Sequence, residues 1–597
     1  MATKINREAL RQRIKELAGL SDDERAQLLE LVNTKKYGLV WEDHPEAVEE
    51  RLRTHLPVLD EVRERYIPGA TPEAPNHILI EGDNLEALTA LTYTHEGRID
   101  VIYIDPPYNT GNKDFVYNDR YVDAEDDYRH SKWLSFMSKR LRIAKRLLSE
   151  KGVIFISIDN NEIGQLKTLC DELFLEKNFI EILKWKRKKQ PSFLATHTAS
   201  VMEYVLVYAN DKTKLEKLSI EGTSDSTKKV INISNAESIR HFRAGVRIKL
   251  DGEGTLKAGV HKIKTMTVTY LQDVQYKNGY TLNEVDVSSR FSESQENIDK
   301  FIDQELLFIT ANKGLRREVS VEEIGKRKSI TDLLLSEWGD NQESESEQNN
   351  IFGKRIFDYA KPIQLIKNLV KSFNSSSSSV LDFFAGSGTT MHAVMQLNKE
   401  DGGHRQCILV TNNENNICEE VTYERNKRVI NGYTTPKGTA VEGLTDNSLR
   451  YYRTRLLPRQ RTNRNMRDLM AAATDLLCIK EDLYDELEIK NLEIRNIRRH
   501  VRLFGKGNQY MLIIFSEEAI PRIVQWIAQS DFLPKERIKV YTFSYTNYPY
   551  DDDFAEVEDR VQLCALPAAI YEAYRRVLPT EDRFYDNEPI DGKEDNQ

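Results

Sequence analysis

The sequence predicts an α/β fold, a doubly wound sheet of mostly parallel strands split by an insertion, and three observations predict it. Short apolar runs at 77–80, 99–104 and 153–158 are separated by helical stretches, the pattern of parallel strands buried on both faces. From Lys184 to about residue 352 that pattern gives way to polar, Thr-rich, irregularly alternating sequence closing in Glu343-Ser344-Glu345-Ser346-Glu347, which reads as an inserted domain with loops. The alternation then resumes with a strand-like run at 379–384, a helix from Thr389 and a further run at 407–411.

A chain of 597 residues exceeds one ordinary core, so several domains are expected. Residues 1–75 carry helical periodicity, in Leu28, Leu29 and Leu31 and again in Leu52, Leu56 and Leu59, and read as a helical N-terminal segment. Residues 76–185 and 356–435 form the two halves of the doubly wound domain, and 186–355 form the insert. Residues 436–597 hold a helical stretch and apolar runs at 511–515 and 539–543, read as a small C-terminal α/β domain for dimer or partner docking.

Composition narrows the function. Lys and Arg total 85 against 95 Asp and Glu, a formal charge of -10, so any nucleic-acid site must be local. Cys170, Cys407, Cys418, Cys478 and Cys564 show no metal-ligand spacing, so no metal site or disulfide framework is expected and a reducing cytoplasm fits. No apolar run is long enough for a bilayer, and no membrane association is expected.

Two elements carry chemistry. In Asp382-Phe383-Phe384-Ala385-Gly386-Ser387-Gly388-Thr389, a Gly-x-Gly turn follows a buried strand and opens a helix, so backbone can approach a ligand closely beside free helix N–H groups. The third glycine of the dinucleotide fingerprint is missing and no phosphate loop occurs, which disfavours NAD and ATP and leaves an amino-acid-bearing nucleoside open. Asp105-Pro106-Pro107-Tyr108 ends another strand; its two prolines fix the backbone and remove two donors, leaving an acceptor site. Such a site suits an aromatic amine: if the Asp105 carboxylate and the Pro106 carbonyl each accept one amine hydrogen, the nitrogen lone pair localises toward a methyl donor. Tyr108 would stack on the extruded base, returning roughly 1–3 kcal/mol of the flipping cost.

At these residues the chain resembles the amino-methyltransferases, and the order of its elements resembles the beta class that acts on DNA. Gly82-Asp83-Asn84-Leu85, Asp105 through Gly111, Tyr117-Asn118-Asp119, His130-Ser131-Lys132-Trp133 and Glu203 through Tyr208 together look like the modification subunit of type III restriction-modification systems. The resemblance implies a Rossmann-like methyltransferase sheet, S-adenosylmethionine as cofactor and N6-adenine methylation of double-stranded DNA. It further implies a homodimer and a separate restriction subunit carrying helicase and nuclease activity. Lys361 and Pro362 resemble the element that meets the methionine carboxylate of the cofactor; Asp382, Phe384, Ala385, Gly386, Gly388 and Thr389 resemble the cofactor turn. Glu414 stands where an acidic residue for the ribose is expected, and Asp83 matches a cofactor-pocket aspartate that also reads as a helix N-cap. The leading Asp105 favours adenine over cytosine N4, and no cysteine follows a proline, which excludes C5 chemistry.

Lys184, Lys186, Arg187, Lys188 and Lys189 pack around Trp185 where a phosphate-gripping edge would be useful, and are read as DNA-binding. The insert is the implied target-recognition domain. Alternatives are a solitary or phage-defence methyltransferase without a restriction partner, an enzyme acting on RNA or protein, and a non-catalytic DNA-binding scaffold.

Overall fold

The computed structural model describes Ile14 and residues 41–578, apart from 112–114, 118–119, 124, 192–196, 222–226, 264–265, 324–325, 531–532, 534–536, 545–547 and 549. The leucines at 28, 29 and 31 and the motif residues Asn118 and Asp119 therefore lie outside the described residues. The chain divides into two compact units, one comprising 1–216 with 331–597, the other 217–330.

The larger unit is organised by one ten-stranded sheet. In chain order its strands are β1 (His55–Glu61), β2 (Asn76–Glu81), β3 (Ile99–Ile104), β4 (Leu148–Ile158), β5 (Phe179–Lys186), β6 (Met202–Ala209), β7 (Leu333–Leu334), β8 (Ser379–Asp382), β9 (Gln406–Thr411) and β10 (Ser448–Pro458). Their order across the sheet is β1-β10-β2-β9-β8-β3-β4-β6-β5-β7. From β10 to β4 the strands run parallel, and β6 is antiparallel to both β4 and β5. The predicted runs fall on β2, β3, β4, β8 and β9, whose apolar side chains are buried on both faces as continuous hydrophobic sequence requires.

The helices that position the site are α1 (Ala47–Thr54), α2 (Asn84–His95), α3 (Arg129–Leu147), α4 (Asn341–Phe352), α5 (Ile363–Ser372), α6 (Thr389–Asp401) and α7 (Glu424–Asn431). α2 is buried almost all round, and it tolerates threonines there because Thr89 and Thr92 donate their hydroxyls back to the Leu85 and Thr89 carbonyls, at 2.7 and 2.6 Å. α3 shows the expected amphipathic spacing, with Trp133, Met137, Leu141 and Ala144 on its buried face.

The structure departs from the sequence reading in four places. Leu56 and Leu59 lie on β1, not on a helix; only Leu52 is helical, on α1. Pro57 sits within β1, which is tolerable because β1 is an edge strand. The second departure is β10, which joins the main sheet, so residues 436–597 do not form a wholly separate domain. Its arginines interrupt any apolar run, yet Arg450 reaches Glu61 at 2.7 Å, Arg453 reaches Glu81 at 2.6 Å, and Arg455 pairs with Asp60. Neighbouring strands supply the carboxylates that let a charged strand enter a sheet.

Third, the compact inserted unit is 217–330, narrower than 186–355, because β5, β6 and β7 belong to the main sheet. That unit holds a seven-stranded and a four-stranded sheet around Val230, Phe242, Val268, Tyr270, Val287 and Ile309. Fourth, the acidic run 343–347 is not a loop but part of α4, capped by Asp340, whose carboxylate accepts from Gln342 N at 2.9 Å.

In the C-terminal part, a five-stranded sheet includes Gln509–Ile514 and Ile538–Phe543, matching the predicted runs. The last helix among the described residues, Ala568–Arg575, buries Tyr571 and Tyr574 in the core of the larger unit, and the Tyr574 hydroxyl donates to the Pro57 carbonyl at 2.8 Å. That face is consumed by packing and is not a docking surface. Among the described residues no helix is long and apolar enough to cross a membrane.

Candidate active site

β3 and β8 are neighbours in parallel, with Val101 opposite Val380 and Ile102 opposite Leu381. The Asp-Pro-Pro-Tyr element and the glycine turn, separated by the whole insert in sequence, therefore leave the sheet side by side at its carboxyl edge, where open α/β sheets bind ligands.

After β3 the chain turns sharply. Asn109 adopts a left-handed conformation, φ 55°, and its buried side chain donates to Glu162 Oε1 at 2.6 Å and to the Arg129 carbonyl at 3.2 Å. Asparagine tolerates that backbone better than most residues. The Trp133 indole N–H donates to the Pro107 carbonyl at 2.7 Å. The Pro107 oxygen is thereby occupied and is not an open acceptor of the predicted site; Pro106 is buried, and Asp105 remains partly exposed.

A charged network closes over Asp105. Lys361, almost fully buried in the turn before α5, donates to both Asp105 oxygens at 2.8 and 2.7 Å. The Tyr108 hydroxyl lies 2.9 Å from Asp105 Oδ1 and 3.2 Å from Glu203 Oε2. Glu203 also pairs with Arg187 at 3.1 Å and stands 3.7 Å from Lys361. Burial pushes the Glu203 carboxyl up, against the pull of Lys361 and Arg187. Burial works against the Lys361 ammonium, but Asp105 and Glu203 hold its pKa above the ordinary lysine value. Burial, with Asp105 and Glu203 nearby, drives the Tyr108 phenol far up, so it stays a hydroxyl. Lys361 is thus fixed on Asp105, where the resemblance implied a cofactor contact. α4 supports that turn: Ser344 donates to the Ala360 carbonyl at 2.6 Å and Glu347 accepts from Ile363 N at 3.1 Å.

The glycine turn is pre-formed. Asp382, buried, accepts from Phe384 N at 3.0 Å and from Thr390 at 2.5 Å. Gly386 and Gly388 take φ of 47° and 75°. A Cβ on Gly386 would stand 2.9 Å from Cζ of Phe357, whose ring covers the turn. Gly386→Ala is therefore expected to destabilise the fold by about 1–2 kcal/mol and to weaken ligand binding at the turn, checked by thermal unfolding and calorimetry. Thr389 is held inward, its hydroxyl accepting from Arg425 at 2.8 Å, and Ala385 is buried. Asp83 caps α2 through Leu85 N at 2.7 Å with its side chain partly open, while Asn84 donates to the Phe383 carbonyl at 3.1 Å and ties α2 to the turn. Glu414 is exposed in the segment after β9.

Burial raises the Asp382 carboxyl from 3.8 to about 7, and the bonds from Thr390 and Phe384 only partly oppose it. A carboxyl whose folded pKa lies above its unfolded value stabilises the fold fully at low pH and loses that contribution as pH rises through the folded value. Wild-type stability is expected to decline from about pH 4 to about pH 7 relative to Asp382→Asn, read from denaturation midpoints across that window.

The basic run divides. Lys184 pairs with Asp332 at 2.7 Å, Lys189 with Asp340 at 3.2 Å and Arg187 with Glu203, while Lys188 is exposed and Lys186 half-buried at the end of β5. Three of the five cations thus face carboxylates of the protein itself, Lys184 and Lys189 from exposed positions. Arg187 belongs to the Asp105 network, a placement the charge run could not signal. His197 lies exposed in a bend. Among the described residues no cluster of three or more His, Cys, Asp or Glu side chains is arranged to hold a metal ion.

The chain is 35% identical over 360 residues to the type III restriction-modification enzyme StyLTI Mod subunit of Salmonella typhimurium, covering 56% of this chain and 52% of that one. It is 30% identical over 367 residues to the type II methyltransferase M.KpnI of Klebsiella pneumoniae, covering 59% of this chain and 84% of that one. Among solved structures, the M1.HpyAVI-SAM complex aligns at 12% identity with a TM-score of 0.29, over 59% of this chain and 98% of that one. The chain spans about half the length of the Salmonella subunit. With the DNA methylase family model matching residues 99–430, which contain both the Asp105 turn and the glycine turn, the chain belongs to the DNA methylase family.

Proposed function

We propose that the chain methylates adenine N6 in double-stranded DNA as the modification and specificity subunit of a type III restriction-modification system. The observation that carries this reading is the adjacency of the Asp105 acceptor and the glycine turn on neighbouring parallel strand ends. When bound, S-adenosylmethionine supplies an electrophilic methyl group. The residues present fit it: the left-handed glycines at 386 and 388 shape a tight turn at the end of β8, the rings of Phe357 and Phe384 offer apolar surface beside it, and Asp83 presents a partly open carboxylate.

The chain's own residues do the rest. Asp105 and the Pro106 carbonyl accept the two hydrogens of the amine and localise its lone pair. Lys361 orients the Asp105 carboxylate, and the Tyr108 ring stacks on the flipped base. Asp83, Asp382, Phe384, Ala385, Gly386 and Gly388 form the cofactor side. Adenine rather than cytosine follows from the leading aspartate, and the 217–330 unit is the target-recognition module.

The similarity to the StyLTI Mod subunit, one subunit of a restriction-modification enzyme, supports work alongside a restriction subunit, and a homodimer in the cytoplasm belongs to the same reading. The coverage of M.KpnI supports a second reading, a methyltransferase acting without that partner. Purified protein given methyl-labelled S-adenosylmethionine should label duplex DNA and not RNA or protein, with label recovered as N6-methyladenine. Label in cytosine, or none in DNA, would reject the proposal.

A further inference from the structure

Building on the methyltransferase reading, we infer that Glu203 receives the proton released by the methylated amine, passed from Asp105 through the Tyr108 hydroxyl. When the amine nitrogen bonds the methyl carbon, the carbon–sulfur electron pair stays on sulfur and the nitrogen holds one hydrogen too many. Asp105 accepts that proton on Oδ1. A flipped base covers the exposed side of Asp105, so the proton must leave inward. Among the described residues, the groups bonded to the carboxylate are the Lys361 ammonium, which carries its full complement of protons and can only donate, and the Tyr108 hydroxyl.

That hydroxyl stands between two carboxylates, 2.9 Å from Asp105 and 3.2 Å from Glu203, and has one hydrogen to give. It donates to one of them and, once the other is protonated, accepts from it. Transfer from Asp105 Oδ1 to the phenol oxygen, as the phenol hydrogen passes to Glu203 Oε2, leaves an Asp105 carboxylate, an intact tyrosine and a Glu203 carboxylic acid. No charge is left on the tyrosine, whose burial resists ionisation. Arg187, Lys361, Asp105, Tyr108 and Tyr103 face Glu203, and among these influences burial dominates, raising its affinity for a proton. Glu203 acts through Tyr108 and does not touch the base.

The test compares Glu203→Gln, which can still accept a hydrogen bond but no proton, with Tyr108→Phe, which keeps the ring and removes the hydroxyl. In single turnovers on duplex DNA each should lower the methylation rate by about 100-fold with DNA and S-adenosylmethionine binding unchanged, and the double variant should be no slower than either single. Wild-type rate should fall as pH drops through the raised Glu203 pKa, because only the carboxylate can accept, and Glu203→Gln should lack that acid limb. A Glu203→Gln enzyme of wild-type rate, or one whose loss lies in KM alone with the acid limb kept, overturns the relay. If melting shows that Glu203→Gln is unfolded, Tyr108→Phe decides alone: a wild-type rate overturns the relay and an about 100-fold loss supports it. A wild-type protein that methylates no DNA overturns the underlying reading, and the relay with it.

Discussion

Asp105→Asn is expected to lower methyl transfer by on the order of 10³-fold while leaving DNA and S-adenosylmethionine binding in place. The amide keeps the shape of the side chain but turns one acceptor into a donor, which would face an amine that also donates. It further deprives the buried Lys361 of a carboxylate that now takes two of its hydrogens, leaving Glu203 at 3.7 Å as the nearest counter-charge. A loss of roughly 1–3 kcal/mol of stability should accompany the catalytic loss, readable by chemical denaturation. Catalytic loss in a variant that remains folded at the assay temperature would place the residue in the reaction rather than in the scaffold.

Lys361→Met should be the more damaging to the fold. Lys361 is 6% exposed and stands between two carboxylates, so among the described residues its removal leaves Glu203 with Arg187 and Asp105 without its paired cation. Breaking a buried ion pair from one side costs about 3–5 kcal/mol. The sign with pH follows from the lost attraction. Without the ammonium the Glu203 carboxyl, already pushed up by burial, ionises less readily, so the variant is relatively most stable at low pH, where Glu203 is protonated, and falls further behind wild type as pH rises. Its residual activity should shift toward alkaline pH as the Glu203 carboxylate becomes harder to form. An activity profile and stability gap that do not change with pH would contradict the placement of Lys361 on Asp105.

What the sequence disclosed follows from which residues act locally. β3, β4, β8 and β9 were legible because strands covered on both faces are written as continuous apolar runs, and the two chemical elements sit at the ends of such strands. β10 was not legible, since its arginines are neutralised by Glu61, Glu81 and Asp60, which come from other strands. β1 was masked because Leu52, Leu56 and Leu59 happen to fit a helical spacing while the chain changes from α1 to β1 between the first two. The acidic run 343–347 looked like solvated low complexity, yet Ser344 and Glu347 hold the Lys361 turn.

The site divides along the same line. Asp105, Tyr108, Gly386 and Asp382 could be named from their local patterns and family resemblance. The pairing of Lys361 with Asp105 spans 256 positions, and no spacing rule reaches that far. Glu203 appeared only as part of a resembling segment, and Arg187 only as one cation in a run. The role of each emerges from the sheet order, which sets β5 and β6 beyond β4 and carries their ends toward Asp105.

The most direct measurement is single-molecule sequencing of genomic DNA from cells expressing the wild type or Asp105→Asn. The account predicts N6-methyladenine in one short, non-palindromic motif, on one strand, present with the wild type and absent with the variant. Methylated cytosine, or modified adenine that persists without the Asp105 carboxylate, would contradict it.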